Sequence, residues 1–306
     1  MRVGVVDLGT NSTRLLVADV DGERVDEVSR RTVITRLGEG VDERRRLLPL
    51  PVARVRNALS DYRRELEQLG AERVLAIGTS AIRDAENGEA FLGELEWSYG
   101  FATRLLSGDE EADLTRRGVA NGRRLADDTL VLDVGGGSTE LITAAERRSV
   151  DVGSVRLTER HLRSDPPRRE ELEAAAQAVR EELPPLDPRD AIGVAGTVTT
   201  LAALELGGYD PERVHGHRLA REAVDALLER LASVPLAERR DLPGLEPERA
   251  PVIVGGALVV REVLERYGLD GLEASERDLL HGAALEAAKL PEPVEDDAPP
   301  GAYTCC

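Results

Sequence analysis

The sequence predicts an α/β fold with mixed sheets, built twice. Three observations carry that expectation: a motif that recurs, strands that alternate with helices after an antiparallel start, and a length of 306 residues, beyond the usual single compact domain. The motif reads DLGTNSTRLL from Asp7 and DVGGGSTELI from Asp133. In register, Asp7 matches Asp133, Gly9 matches Gly135, Ser12 and Thr13 match Ser138 and Thr139, and Leu15 matches Leu141. Each copy follows an apolar run, Val3-Gly4-Val5-Val6 or Leu130-Val131-Leu132, and leads into another. The pattern is strand, tight glycine turn, strand, with an aspartate at the end of the first strand. The domain boundary is placed between the repeats, giving an N-terminal domain at 1–122 and a second at 123–290, whose last helix is a candidate to pack back on the first.

In the first half, Leu15-Leu16-Val17-Ala18 and Thr32-Val33-Ile34 read as antiparallel strands around Asp21-Gly22. Apolar spacing over 51–69 (Val52, Val55, Leu59, Leu66, Leu69) predicts a helix that stops at Gly70. A buried strand follows at 73–78, with Thr79-Ser80 as a helix start, then a helix near 90–99 and a strand at 102–106. Ser107 or Asp109 caps the next helix, which runs to about Gly122. The second half repeats the scheme: strands at 129–134 and 140–143, a third near 149–157, a helix over 167–183, and a strand at 191–195 entering a helix at Gly196-Thr197. Helices over 221–231, 251–267 and 275–290 complete it.

Composition sets the broad class. With 41% apolar and 32% charged residues the chain is that of a soluble globular protein, and aromatics at 3% leave the core to Val, Leu, Ile and Ala. A net charge of −18 argues against nucleic acid or an anionic membrane as partner, while leaving room for an arginine-lined anion site. Lys289 is the sole lysine, so arginine does that work. No apolar run spans a bilayer and no signal peptide is read, which predicts a cytoplasmic protein. Cys305 and Cys306 are adjacent and cannot staple the fold; the tail at 291–306, rich in Pro and acid, is expected to be disordered.

The chemistry concentrates in four places. Glycine turns let the backbone approach a ligand and leave N–H groups for phosphate oxygens, and a neighbouring aspartate suits Mg²⁺. Three consecutive glycines, Gly135-Gly136-Gly137, make the second turn the more specific. Arg14 and Glu140 occupy the same repeat position, a base in one copy and an acid in the other. Glu110-Glu111 stand at a predicted helix start, where carboxylates serve either the helix dipole or as a general base. Gly78-Thr79-Ser80-Ala81-Ile82-Arg83 turns from strand into helix, and its N–H groups with Arg83 suit an anion. Thr197 is a further phosphate-contact candidate; Gly255-Gly256 reads as close packing or a ligand surface. His215, His217 and His281 lack zinc-site spacing, and Arg44-Arg45-Arg46 reads as a solvated loop.

Taken in order, DLGTNSTRLLVADV (7–20), TRLGEG (35–40), GTSAIRDAEN (78–87), SGDEEA (107–112), LVLDVGGGSTEL (130–141), GSVRLTE (153–159) and AGTVTTLAAL (195–204) resemble the exopolyphosphatase / guanosine pentaphosphate phosphatase family. That resemblance implies duplicated actin-like ATPase (ribonuclease H-like) domains with a cleft between the lobes. It assigns Glu111 as the base that activates water, Arg83 as a phosphate ligand, and Asp133 and Glu140 to Mg²⁺ and catalysis. Gly135, Gly136, Gly137 and Ser138 match the second phosphate loop; Asp7, Gly9, Thr10, Asn11, Ser12 and Arg14 belong to the first, with Asp7 a further metal candidate. The expected cofactor is Mg²⁺, with K⁺ a second candidate, and a homodimer is implied.

The implied reaction is release of terminal orthophosphate from polyphosphate, short chains above all, because the extra helical region of the family's long form is not matched. The alternative keeps the chemistry on pppGpp; a superfamily kinase and a non-catalytic polyphosphate or nucleotide binder are the rivals. Asp278-Leu279-Leu280-His281-Gly282 departs from the family's basic-acidic pair before that glycine.

Overall fold

Two apolar strands joined by a short turn begin each half of the chain, and a sheet grows outward from each pair. The computed structural model describes residues 1–122 and 124–291; Arg123 and residues 292–306, which hold all but the first residue of the tail expected at 291–306 and include Cys305 and Cys306, lie outside them. The chain forms two units. One holds the residues up to 122 together with those from Leu279, the other Arg124–Asp278.

In the first unit, β1 (Arg2–Leu8), β2 (Ser12–Asp21) and β3 (Arg24–Ile34) form an antiparallel meander. The chain continues through α1 (Val41–Arg44) and α2 (Pro49–Leu69) to β4 (Arg73–Gly78), α3 (Ser80–Arg83), α4 (Gly88–Tyr99), β5 (Ala102–Leu105) and α5 (Gly108–Ala120). The strand order is β3-β2-β1-β4-β5, with β1, β4 and β5 parallel. α2 begins with proline in its first turn and ends on Gly70 in the left-handed conformation, both ordinary helix punctuation. It buries Val52, Val55, Leu59 and Leu66.

The second unit repeats this plan. β6 (Thr129–Val134), β7 (Thr139–Ile142) and β8 (Arg147–Val150) form the meander. Next come α6 (Ser154–His161), α7 (Arg169–Glu182), β9 (Asp190–Val194), α8 (Ala195–Leu206), α9 (Pro211–Val214), β10 (Arg218–Ala220), α10 (Arg221–Ser233), α11 (Leu236–Arg239), α12 (Ile253–Tyr267) and β11 (Gly271–Ala274). The order β10-β11-β9-β6-β7-β8 contains the first unit's arrangement with one added edge strand. The expected fold class, two mixed sheets flanked by helices, is the one observed.

Several elements differ from expectation. Residues 149–157 do not form one strand: β8 ends at Val150 and Ser154 opens α6. Val150 and Val152 alternate, as do Val155 and Leu157, which suggests a strand, but Gly153 lies so close to the glycine turn at 135–138 that a Cβ would stand 2.5 Å from the Gly136 carbonyl oxygen. The short strands β10 and β11 carry too few residues to show a period of two. The final helix starts at Leu279 rather than at 275, because the Ser275 N–H extends the sheet by bonding the Gly193 carbonyl (2.9 Å).

That last helix, α13 (Leu279–Ala287), returns to the first unit. Its Leu279, Leu280, Ala283 and Ala284 join Val3, Val5, Leu16 and Leu114 in one apolar core. His281 is buried in the same helix. Gly282 permits the approach, since a Cβ there would lie 1.8 Å from the Leu114 carbonyl oxygen. Among the described residues no helix is long and apolar enough to cross a membrane.

Backbone cannot yield as a side chain does, so Gly282→Ala is expected to cost about 1–3 kcal/mol by overpacking. That exceeds the roughly 1 kcal/mol that alanine gains over glycine in a helix. Urea denaturation checks it; an unchanged or raised midpoint would show that α13 is not docked this way.

Candidate functional site

In the first unit, one row across the sheet, Leu8–Gly78–Leu105, ends three parallel strands together. Open α/β sheets bind ligands outside such carboxyl ends. The residues that follow are the Gly9 turn, the Thr79–Arg83 segment and the start of α5.

The turn itself closes by a bond from the Gly9 N–H to the Ser12 carbonyl (3.0 Å). Glycine is required, since a Cβ at position 9 would come within 2.9 Å of that oxygen. The Thr10 and Asn11 carbonyls accept from the N–H groups of Gly38 (2.8 Å) and Arg36 (2.9 Å). Among the described residues the Thr10 and Asn11 N–H groups donate to nothing, and the buried Asn11 Oδ1 has no hydrogen-bond partner. The loop TRLGEG thus braces the turn from one side, and Arg36 takes a left-handed φ of 49° to do so. Thr13 and Thr35 hydroxyls bond each other (2.9 Å), and the Tyr62 hydroxyl donates to the Thr13 carbonyl (2.8 Å). Burial raises the Tyr62 pKa, so it stays a donor.

Asp7 and Arg14 face each other in register, and the guanidinium bonds Asp7 Oδ2 through Nε and Nη2, each at 2.8 Å. Asp7 is buried, and its charge is balanced inside the chain. Of the acidic residues proposed for a metal, Asp7 thus serves the Arg14 guanidinium.

The two glutamates of α5 have separate duties. Ser107 caps the helix: its hydroxyl accepts from the Glu110 N–H (3.3 Å), while Glu110 Oε2 accepts from the Ser107 N–H (2.9 Å). Those Ser107 N–H bonds, then Arg104, hold Glu110 down at about 2. Glu111 instead turns inward, 7% exposed, and its Oε2 accepts from Arg83 Nη1 at 3.3 Å. The same Arg83 nitrogen donates to the Leu106 carbonyl (2.7 Å), which fixes the guanidinium between α3 and α5. A buried carboxylate and a fixed guanidinium thus stand at adjacent strand ends.

The second unit carries the other half of the predicted set. The Gly135 N–H bonds the Ser138 carbonyl (3.1 Å), the same closure as in the first turn, and a Cβ on Gly135 would meet that oxygen at 3.0 Å. Asp133 and Glu140 are register partners on β6 and β7, both buried. Like charges directly opposite one another disfavour a sheet. Ser149 donates to Glu140 Oε1 (2.8 Å), a neutral contact that itself carries no countercharge. Two buried carboxylates side by side are a hard-oxygen donor set of the kind Mg²⁺ takes, so these residues fit a divalent cation. Thr197 Oγ1 donates to the Val134 carbonyl (3.0 Å), tying α8 to the same strand end. Gly256 lies against Thr197 and Gly255 against Ser154, so this pair serves close packing. Arg44, Arg45 and Arg46 are exposed, and no group of three metal-capable side chains occurs among the described residues.

Sequence reasoning missed the groups that brace the turns. Arg156, 7% exposed, donates from Nε to the Gly137 carbonyl (2.7 Å). Its signal was the segment GSVRLTE, whose glycine is packed on Gly136.

The chain matches the Ppx/GppA phosphatase family over residues 16–290, and it belongs to that family. Exopolyphosphatase 2 of Mycobacterium tuberculosis is 41% identical over 315 residues, spanning 94% of this chain and 98% of that protein. A guanosine-5′-triphosphate,3′-diphosphate pyrophosphatase of Photobacterium profundum is 29% identical, with 92% of this chain covering 58% of it. Among solved structures, an exopolyphosphatase-like protein superposes with a TM-score of 0.87 at 34% identity, covering 94% of this chain and 99% of that one.

The Glu110 contacts set a pH dependence. A carboxyl held at about 2 against an ordinary 4.5 contributes stability above 4.5, and loses it as pH falls from there through 2. Glu110→Gln is therefore expected to melt below the wild type at pH 7, with the gap closing between about pH 4.5 and 2. A gap independent of pH would mean that the Glu110 charge does not support the cap.

Proposed function

We propose that the protein is an exopolyphosphatase, releasing terminal orthophosphate from inorganic polyphosphate by attack of water. The single observation that carries this reading is the Arg83–Glu111 pair at the strand ends beside the Gly9 turn. The likeness over nearly full length to an exopolyphosphatase supports the substrate.

Phosphoryl transfer needs little covalent work from a protein; positioning and charge stabilisation dominate. The open N–H groups of both glycine turns hold phosphate oxygens. Arg83 turns from Glu111 to the substrate and neutralises phosphate charge. Glu111 then takes the proton of the attacking water, and the shortened polyphosphate departs. Asp133 and Glu140 would hold Mg²⁺, and a bound divalent cation neutralises phosphate oxygens and relieves the repulsion between those two carboxylates. Arg14 keeps Asp7 neutralised so that the first turn stays attractive to an anion.

A second reading keeps this machinery and changes the substrate to pppGpp, as the similarity to a guanosine-5′-triphosphate,3′-diphosphate pyrophosphatase favours.

Phosphate release with Mg²⁺ from short polyphosphate, long polyphosphate, pppGpp and ATP tests these readings. Short polyphosphate is expected to be fastest. Glu111→Gln should lower the rate roughly 10²–10⁴-fold, the range for a general base, while Glu110→Gln on the adjacent residue keeps most of it. Faster release from pppGpp would replace the main reading, and a fully active Glu111→Gln would remove Glu111 as the base.

A further inference from the structure

The triple-glycine turn is braced peptide by peptide. The Gly135 carbonyl accepts from the Ser154 N–H (2.9 Å), and the Gly136 carbonyl accepts from Val155 (2.8 Å) and Arg156 (3.1 Å). These are the first N–H groups of α6, which helix geometry leaves without intrahelical partners. The Gly137 carbonyl accepts from the guanidinium of Arg156 (Nε, 2.7 Å). Thr139 Oγ1 holds the preceding segment by donating to the Val152 carbonyl (2.6 Å). Each of the three carbonyls therefore has a donor. Among the described residues, the N–H groups of Gly136, Gly137 and Ser138, which belong to the same three peptide units, donate to nothing.

A peptide whose carbonyl accepts a hydrogen bond becomes a stronger donor at its own N–H, because polarisation passes through the conjugated unit. Charge-assisted bonds are about twice as strong as neutral ones. Arg156 supplies such a bond from a buried position where solvent screens little, its side chain 8% exposed, with Asp151 3.8 Å from Nη2. In the first turn the backbone N–H groups of Arg36 and Gly38, both neutral donors, take the Asn11 and Thr10 carbonyls.

We infer that Arg156 is a positioning residue, which aims the Ser138 N–H and strengthens it as a donor to a substrate phosphate oxygen while touching no substrate itself. The inference rests on the reading that this turn holds phosphate. It explains why an arginine, rather than a neutral donor, is buried behind three glycines.

Three substitutions separate charge, donor and packing: Arg156→Lys keeps the charge, Arg156→Gln keeps a neutral donor, and Arg156→Met keeps only bulk. Two measurements are made on each, the amide resonances of the free protein and calorimetric binding of tripolyphosphate with Mg²⁺. The Ser138 amide proton should shift upfield in Arg156→Met and Arg156→Gln and stay near its wild-type value in Arg156→Lys. Tripolyphosphate should bind roughly 10- to 100-fold more weakly to Arg156→Met, the range for partners that orient a ligand from behind. Arg156→Gln should fall between that and Arg156→Lys. Should Arg156→Met fail to fold, the comparison of Gln with Lys decides. Folded variants with an unmoved Ser138 resonance and wild-type affinity would overturn the inference. A wild type that binds no tripolyphosphate would overturn the polyphosphate reading instead, and the Ser138 resonance would still decide on Arg156.

Discussion

Everything at the two strand ends depends on one hydrogen bond made twice, from the glycine N–H that opens each turn to the serine carbonyl that closes it. So short a closure leaves no room for a Cβ, which would stand 2.9 Å from oxygen in one turn and 3.0 Å in the other. It also sends the turn's remaining carbonyls to one side and its N–H groups to another. The carbonyls must then be satisfied by protein, because buried polar groups without partners are costly. TRLGEG serves that need in the first unit and the start of α6 in the second. Their neighbours follow: Tyr62 and the Thr13–Thr35 pair hold the first brace, while Gly255 lets α12 close on α6.

The duplicated plan then diverges at a single register pair. Asp7 meets Arg14, an acid opposite a base; Asp133 meets Glu140, two acids opposite one another. A buried ion pair offsets its own charge, whereas two buried carboxylates in one pair form a donor set that suits a cation. Identical backbone thus serves two electrostatic purposes, one turn presenting N–H groups beside a neutralised aspartate, the other beside concentrated negative charge. A similar division of labour operates within one turn of α5. Glu110 faces the helix start and spends its oxygens on Ser107 and Arg104; Glu111, one residue further, rotates inward to Arg83.

The duplicated fold and most strand positions were legible in the sequence, because they rest on local physics. Alternating or continuous apolar runs mark buried strands, β4 and β6 being read to the residue, and consecutive glycines mark a backbone that must approach something. The aligned aspartates, glycines and serines carried the turn geometry for the same reason. What the sequence did not display depends on residues far apart along the chain. Residues 153–157 have a strand's alternation, yet form a helix start because the turn's carbonyls claim their N–H groups. The placement of α13 beside β1 and α5 was open, since an apolar helix fits any apolar face; the absent Cβ of Gly282 decided it. The choice between Glu110 and Glu111 and the role of Arg156 likewise needed side-chain direction, which only the packed structure sets. Strand, turn and repeat were thus determined by neighbours in sequence, and the pairing of charges by neighbours in space.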